Sequence, residues 1–319
     1  MLAYLGLDIG RKGFDAVLLR EDRSLHKVFS NDEAGFTALQ TWLETLKTKP
    51  AELHACMEAT GGYGDDLALF LHGQSIRVSI VNPLQIKAFG QSELVRTKSD
   101  KVDAGVIARF CRSHGPAAWA PLSPVSRDLR ELVRRCAALK AMRVQELQRR
   151  SQGCASTVVR ASIDRGIAGL DQEINLLTQA VAKLIAADEA LHKAHRLLTS
   201  INGIGDQVAA VLLAEIPDFK AFPHNKNITA FVGLNPQERT SGTSVRGRPH
   251  ISKVGNARLR AILYMAALSA RRHNPILKAF ADRLALAKKS PKIILVAVAR
   301  KLLVIAYGVM KTQKPFKPA

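Results

Sequence analysis

Three short, mainly apolar, β-like runs open the chain: Leu2 to Ile9, Phe14 to Arg20 and Leu25 to Phe29. Each run is bounded by glycine-bearing or charged turn residues, which predicts three successive strands in an antiparallel meander. Asn31 is placed to cap a helix running to about Leu46. Leu53 to Ala59 reads as a strand, Gly62 to Leu71 as a helix, and Val78 to Val81 as a strand closed by Asn82-Pro83. A further helix spans about Ser99 to Cys111, ahead of the Gly115-Pro116 break.

From Ser126 to about Leu191 the period lengthens to that of a helix. Leu129, Leu132, Cys136 and Leu139 alternate at spacings of three and four. Ile167, Leu170, Ile174, Leu177, Val181, Leu184 and Leu191 keep a 3-4 heptad register interrupted by Asp188. That register predicts a coiled coil, although two amphipathic helices packed on their own domain give the same pattern. In LLTSINGIGDQVAAVLLAEI, two apolar helical stretches hinge on Gly203-Ile204-Gly205. Glycines there let backbone amides approach a phosphate at a helix N-terminus, the physics of a helix-hairpin-helix. A polar loop at 235–250 and helices at about 256–272 and 291–310 follow.

The order βββαβαβα is that of an RNase H-like sheet. The expected fold is therefore an α/β RNase H-like (RuvC-like) domain, an α-helical coiled-coil linker, and a mostly helical basic domain with a helix-hairpin-helix-like element. The expected boundaries are 1–115, 116–195 and 196–319.

Charge sharpens this division. The net charge of +20 is unevenly placed: residues 1–120 hold fourteen basic and fourteen acidic side chains, whereas residues 220–319 hold twenty basic against two acidic. A basic segment of this kind is an electrostatic footprint for phosphates, which favours DNA or RNA over a membrane surface. Cys56, Cys111, Cys136 and Cys154 form no C-x-x-C pair, so neither a zinc site nor a disulfide framework is expected. No cationic leader with a long apolar stretch opens the sequence, and Arg300 and Lys301 interrupt the apolar run at 293–309. The expectation is a cytoplasmic protein that engages no membrane.

Four acids stand out against this background. Asp8 interrupts the apolar strand LAYLGLDIG and faces opposite to Leu7 and Ile9. Glu58 lies near the end of another strand, in CMEATGGYG, before two glycines that leave room for a large anionic ligand. Asp100 and Asp103, in KSDKVDAGVIARF, share one face of a helix. Hard oxygen ligands converging from two strands and a helix suit Mg²⁺ or Mn²⁺, and two ions about 4 Å apart activate an attacking oxygen and stabilise a leaving one. Asp65 and Asp66 follow Gly64 at a helix start and are read as dipole partners instead.

The segment LNPQERTSGTSVRGRPHISKVGN at 234–256 places Ser241 and Ser244 among Arg239, Arg246 and Arg248. A serine attacking a phosphodiester needs cations on the nonbridging oxygens, which the arginines supply. Composition alone favours a phosphate-gripping linker, with His250 a phosphate contact or a base. Gly203, Gly205, Lys253, Arg258 and Arg260 complete the expected nucleic-acid contacts.

GLDIG, MEATGGYG, RTKSDKVDA, SINGIG and the GLNP...SGTS...G...ISKVGNARLR block together resemble the DEDD transposases of the IS110 group of bacterial insertion sequences, described as bridge-RNA-guided recombinases. The resemblance spans nearly the whole chain. It implies a RuvC-like domain, a coiled-coil linker and a transposase domain whose nucleophilic serine, by motif position, is Ser241, with Ser244 as the neighbour to distinguish from it. It further implies attack on a DNA strand to give a phosphoserine intermediate, assisted by metal at Asp8, Glu58, Asp100 and Asp103. Double-stranded donor and target DNA, a noncoding guide RNA that pairs with both, and a homo-oligomer (dimer or tetramer) are the implied partners.

Other classes remain open on the residues alone. A RuvC-like metal endonuclease would use the acids to activate water and the serine loop only to grip phosphate. An actin-like or sugar-kinase-like ATPase shares the opening Asp8-Ile9-Gly10 turn, but a second phosphate loop is not evident and the basic third goes unexplained. A noncatalytic nucleic-acid scaffold would leave four acids idle.

Overall fold

The computed structural model describes residues 2–21, 23–59, 61–97, 99–153, 155–216, 218–238, 240–241, 245–247 and 250–317; at Thr240, Ser241, Val245 and Arg246 it describes the backbone path. The chain falls into two units, Met1–Pro121 and Leu122–Ala319.

In the first unit, β1 (Ala3–Ile9), β2 (Gly13–Arg20) and β3 (Arg23–Ser30) form the predicted antiparallel meander, followed by helix α1 (Glu33–Thr45). Strand β4 (Leu53–Glu58), helix α2 (Asp65–Gly73) and strand β5 (Arg77–Val81) come next, then helices α3 (Pro83–Ser92) and α4 (Asp100–His114). The mixed sheet has the order β3-β2-β1-β4-β5, with β4 parallel to β1 and to β5. One face carries Leu5, Leu7, Phe14, Ala16 and Leu18 into a core with Phe36, Leu39, Leu67 and Leu71. The opposite face receives α4, where Ala104 and Ala108 pack with Val17 and Leu19.

The cap of α1 is Asp32 rather than the expected Asn31. The Asp32 carboxylate accepts from Gly35 N at 2.8 Å, while Asn31 Nδ2 donates to Gly10 O and Tyr63 O at 3.1 and 2.9 Å. Asn31 thus ties the β1–β2 turn to the chain after β4, and its neighbour opens the helix.

The second unit begins with α5 (Pro124–Ser151) and α6 (Thr157–Ala187), which pack along one another, then α7 (Glu189–Thr199) and α8 (Asp206–Glu215). The 3-4 repeat does not run through a single helix: Asp188 leaves the helical conformation, closes α6 and caps α7 by accepting from Leu191 N at 2.8 Å. Helix α9 (Asn225–Val232) leads to two short ladders, β6 (Pro236–Gln237) with β9 (His250–Ile251) and β7 (Thr240–Ser241) with β8 (Val245–Arg246). Helices α10 (Ala257–His273), α11 (Pro275–Leu286) and α12 (Pro291–Thr312) complete the unit. Among the described residues α12 is the one helix long and apolar enough to cross a membrane, and 56% of its apolar window is buried. Its residues Val298, Leu302, Leu303 and Ala306 lie in the same core as Leu259, Leu263 and Ala267 of α10.

Candidate active site

Strand alternation puts Tyr4, Gly6 and Asp8 of β1 on the face that α4 covers, and lateral pairing sets Asp15 of β2 directly across from Asp8. Cys56 and Glu58 of β4 belong to the same face, since Cys56 pairs with Gly6. Gly6 decides how near α4 comes. A Cβ on it would lie 2.1 Å from Ala104 O and 2.4 Å from Ala108 N, so only glycine lets the helix settle on the strand. Ser99 caps α4 by accepting from Val102 N at 3.3 Å, and Asp100 and Asp103 occupy its first turn. The sequence motif GLDIG therefore does two things: Asp8 supplies a carboxylate and Gly6 admits the helix that brings two more.

The electrostatics record this gathering. Burial, then the negative charges of Asp100, Asp103 and Asp15, push the Asp8 carboxyl up to about 6. The Glu58 carboxyl is also raised, by burial first and then by Asp8 and Asp103. Among the described residues no three Asp, Glu, His or Cys side chains converge closely enough to enclose an ion. The acids are held within electrostatic reach of one another, short of coordination distance. Such a set fits a hard divalent cation: its donors are all carboxylate oxygen, and the burial and mutual repulsion that raise Asp8 and Glu58 are what a bound positive charge offsets. After Glu58, Gly61 and Gly62 have φ of +59° and +110°, and a Cβ at either would meet nothing within 4 Å, so the end of β4 opens onto free space.

Asp15 was missed by the sequence reading, although GFDAVLLR interrupts an apolar strand just as LGLDIG does. Its Oδ1 lies 2.6 Å from His26 Nε2 on β3, so this fifth acid is paired.

In the second unit, the backbone of the serine segment stands on a short stem. Ser252 N donates to Asn235 O and Lys253 N to Gly233 O, and Ser252 Oγ donates to Asn235 Oδ1 at 2.6 Å. Three stem residues are left-handed: Gly233 (φ +77°), Lys253 (φ +56°) and Gly255 (φ +138°). A Cβ on Gly233 would lie 2.7 Å from Val254 O, so the two sides of the stem touch backbone to backbone. Ser241 lies on β7, opposite Val245 of β8. Arg239, Arg248 and Ser244 lie outside the described residues, as do the side chains of Ser241 and Arg246. Lys253 and Arg258 are exposed, whereas Arg260 is half-buried and donates from Nη1 to Val232 O at 2.9 Å, bracing the stem.

The two turn glycines differ. Gly203 (φ +105°) is packed on α10, where a Cβ would lie 2.4 Å from that of Ala270. Gly205 precedes α8 with extended backbone and no side-chain cap, and nothing lies within 4 Å of a Cβ there. Gly203 thus serves packing, and Gly205 leaves the first amides of α8 accessible.

Comparison with known proteins agrees along the whole chain. Residues 5–154 match a family model described as a transposase, of the DEDD IS110 type, and residues 195–282 match one described as the transposase IS116/IS110/IS902 family. The pilin gene-inverting protein of Moraxella lacunata is 33% identical over 315 residues, covering 98% of this chain and 97% of that one. The transposase for insertion sequence element IS1111A of Coxiella burnetii is 25% identical over 246 residues, covering 68% and 65%. Among solved structures, T. thermophilus RuvC in complex with a Holliday junction substrate aligns over 37% of this chain and 99% of that chain, at 13% identity and a TM-score of 0.26.

Proposed function

Because the chain belongs to the IS110 family of transposases, enzymes that cut and rejoin DNA, we propose that Ser241 is the nucleophile and that Asp8, Glu58, Asp100 and Asp103 hold Mg²⁺ or Mn²⁺. The observation that carries this reading is the placement of Asp8 and Glu58 on the sheet face that the first turn of α4 meets, with Asp8 pushed up to about 6 by burial and by the charges of Asp100, Asp103 and Asp15. A divalent cation bound there supplies charge stabilisation for phosphoryl oxygens as negative charge develops on them.

In the proposed step the Ser241 hydroxyl oxygen attacks a DNA phosphorus. An O–P bond to serine forms, the bond to the leaving deoxyribose oxygen breaks, and the serine proton is passed to solvent or to that oxygen. Arg239, Arg246 and Arg248 neutralise the nonbridging oxygens, while Lys253, Arg258 and the amides after Gly205 grip flanking phosphates in a helix-hairpin-helix manner. Rejoining reverses the step with a different strand. We further assign strand choice to base pairing by a noncoding RNA of the element, and function to a cytoplasmic homo-oligomer whose helices α5 and α6 serve as a coiled-coil assembly arm.

The test is Ser241→Ala against Asp8→Asn on a labelled DNA substrate with Mg²⁺. Ser241→Ala is expected to abolish both cleavage and the covalent protein–DNA adduct, and Asp8→Asn to leave DNA bound but uncut. Retained cleavage without an adduct in Ser241→Ala would replace the serine by activated water. Sequencing the nucleic acid that co-purifies with the protein tests the guide RNA: recovery of random cellular RNA overturns it.

A further inference from the structure

A buried carboxylate at the foot of the serine stem has no part in the reaction outlined above. Glu215, the last residue of α8, is 3% exposed. Arg134 of α5 grips both of its oxygens, Nε to Oε1 at 2.8 Å and Nη2 to Oε2 at 3.0 Å. Asn256 Nδ2 donates to the same Oε2 at 2.9 Å. Asn256 is in turn the knot between stem and helix. Its Oδ1 accepts from Arg258 N and Leu259 N at 3.0 and 3.1 Å, opening α10, and its backbone N donates to Phe231 O at 3.0 Å. Gly255 beside it passes so close that a Cβ would lie 2.3 Å from Phe231 O.

From Asn256 backbone bonds run along the stem as far as His250 and its partner Gln237, which lies four residues before Ser241 in sequence. Lys253 pairs with Gly233 and Ser252 with Asn235; Ile251 and His250 pair with Pro236 and Gln237. An apolar side chain would fill the volume of Glu215 without the cost of desolvating a charge. What the carboxylate adds is direction, because three charge-assisted bonds fix Asn256 relative to α5.

We propose that Glu215 is a positioning residue for the serine step, tying Asn256, and through it the stem that carries Ser241, to Arg134 on α5. This rests on the reading of Ser241 as nucleophile. An attacking oxygen must be held close to its productive position, and a displacement of about 1 Å costs on the order of a hundredfold in rate. Arg134 reaches Asn256 through Glu215, which accepts from both side chains.

The experiment uses the full chain with Mg²⁺, its co-purified nucleic acid and saturating DNA, at a temperature where every variant is fully folded. Glu215→Gln is isosteric but removes the charge and replaces one acceptor oxygen with an NH2 donor, so one of the three bonds is lost. Arg134→Lys, on a half-exposed side chain, is the second variant in case the first folds poorly. Both are expected to slow single-turnover adduct formation by about tenfold or more, with DNA affinity within about twofold of wild type. The double variant is expected to be no slower than Glu215→Gln alone, because both changes break one path. Wild-type adduct rates in Glu215→Gln and Arg134→Lys, a loss explained by weaker DNA binding, or independent multiplication of the two effects would each overturn the proposal. Absence of an adduct in the wild type, or its persistence in Ser241→Ala, would instead overturn the serine reading.

Discussion

At the scale of single residues, the carboxylate face makes two quantitative demands. Gly6→Ala pushes a methyl group into the backbone of α4 at Ala104 and Ala108, and overpacking of this kind destabilises by roughly 1–3 kcal/mol. Denaturant unfolding is expected to register that loss, and Mg²⁺-dependent cleavage to fall with it as Asp100 and Asp103 move off. Asp8 sets a pH dependence. Its folded carboxyl, at about 6, holds its proton more tightly than the unfolded value of 3.8. The contribution of Asp8 to stability is therefore full below about pH 4 and is lost as the pH rises through about 6, the reverse of a salt-bridged acid. Thermal melts of the metal-free protein should follow that decline, Asp8→Asn should flatten it, and Mg²⁺ at neutral pH should raise the wild-type midpoint but not that of Asp8→Asn. An unchanged slope in Asp8→Asn would remove Asp8 as its source.

At the scale of elements, the Gly203-Ile204-Gly205 turn separates two roles that look alike in sequence. Gly203→Ala meets Ala270 at positive φ and is expected to cost more than about 1 kcal/mol, whereas Gly205→Ala, in ordinary extended backbone, should leave stability within about 1 kcal/mol and act on DNA affinity. Denaturation and DNA titration of the two variants separate these outcomes. The strands were legible as short apolar runs between glycine-bearing and charged turns, because the sheet is covered on both faces, and Asp8 and Glu58 were legible as charges interrupting those runs. Asp15 carried the same signal and was overlooked because its strand lacked a motif around it. The Asn31–Asp32 cap is a choice between two good capping residues that only the tertiary contact of Asn31 with Gly10 and Tyr63 decides. The 3-4 repeat predicted helix across 167–191, and Asp188 divides it into α6 and α7, since a capping residue wins over a single further apolar position. Glu215 was beyond reach: it closes an apolar run, and its partners lie 81 and 41 residues away.

At the scale of the molecule, charge and chemistry are divided. Residues up to Pro121 are electrically balanced, so the whole net charge of +20 belongs to Leu122–Ala319. DNA affinity should therefore fall steeply with salt, each neutralised phosphate contact contributing about −0.9 to the slope of log K against log salt. Lys253→Ala and Arg258→Ala should each lower that slope by about 1, and an unaltered slope would remove them from the contact surface. Fluorescence titrations at several ionic strengths measure this directly. Because the acids lie in one unit and the basic surface in the other, occupancy of an element end and the ability to cut it are separable traits. An Asp8→Asn chain made in a cell beside the wild type is therefore a poison rather than a passenger: it fills DNA ends, and subunit positions if the active form is an oligomer, and mobilisation should fall in proportion to its share of the pool.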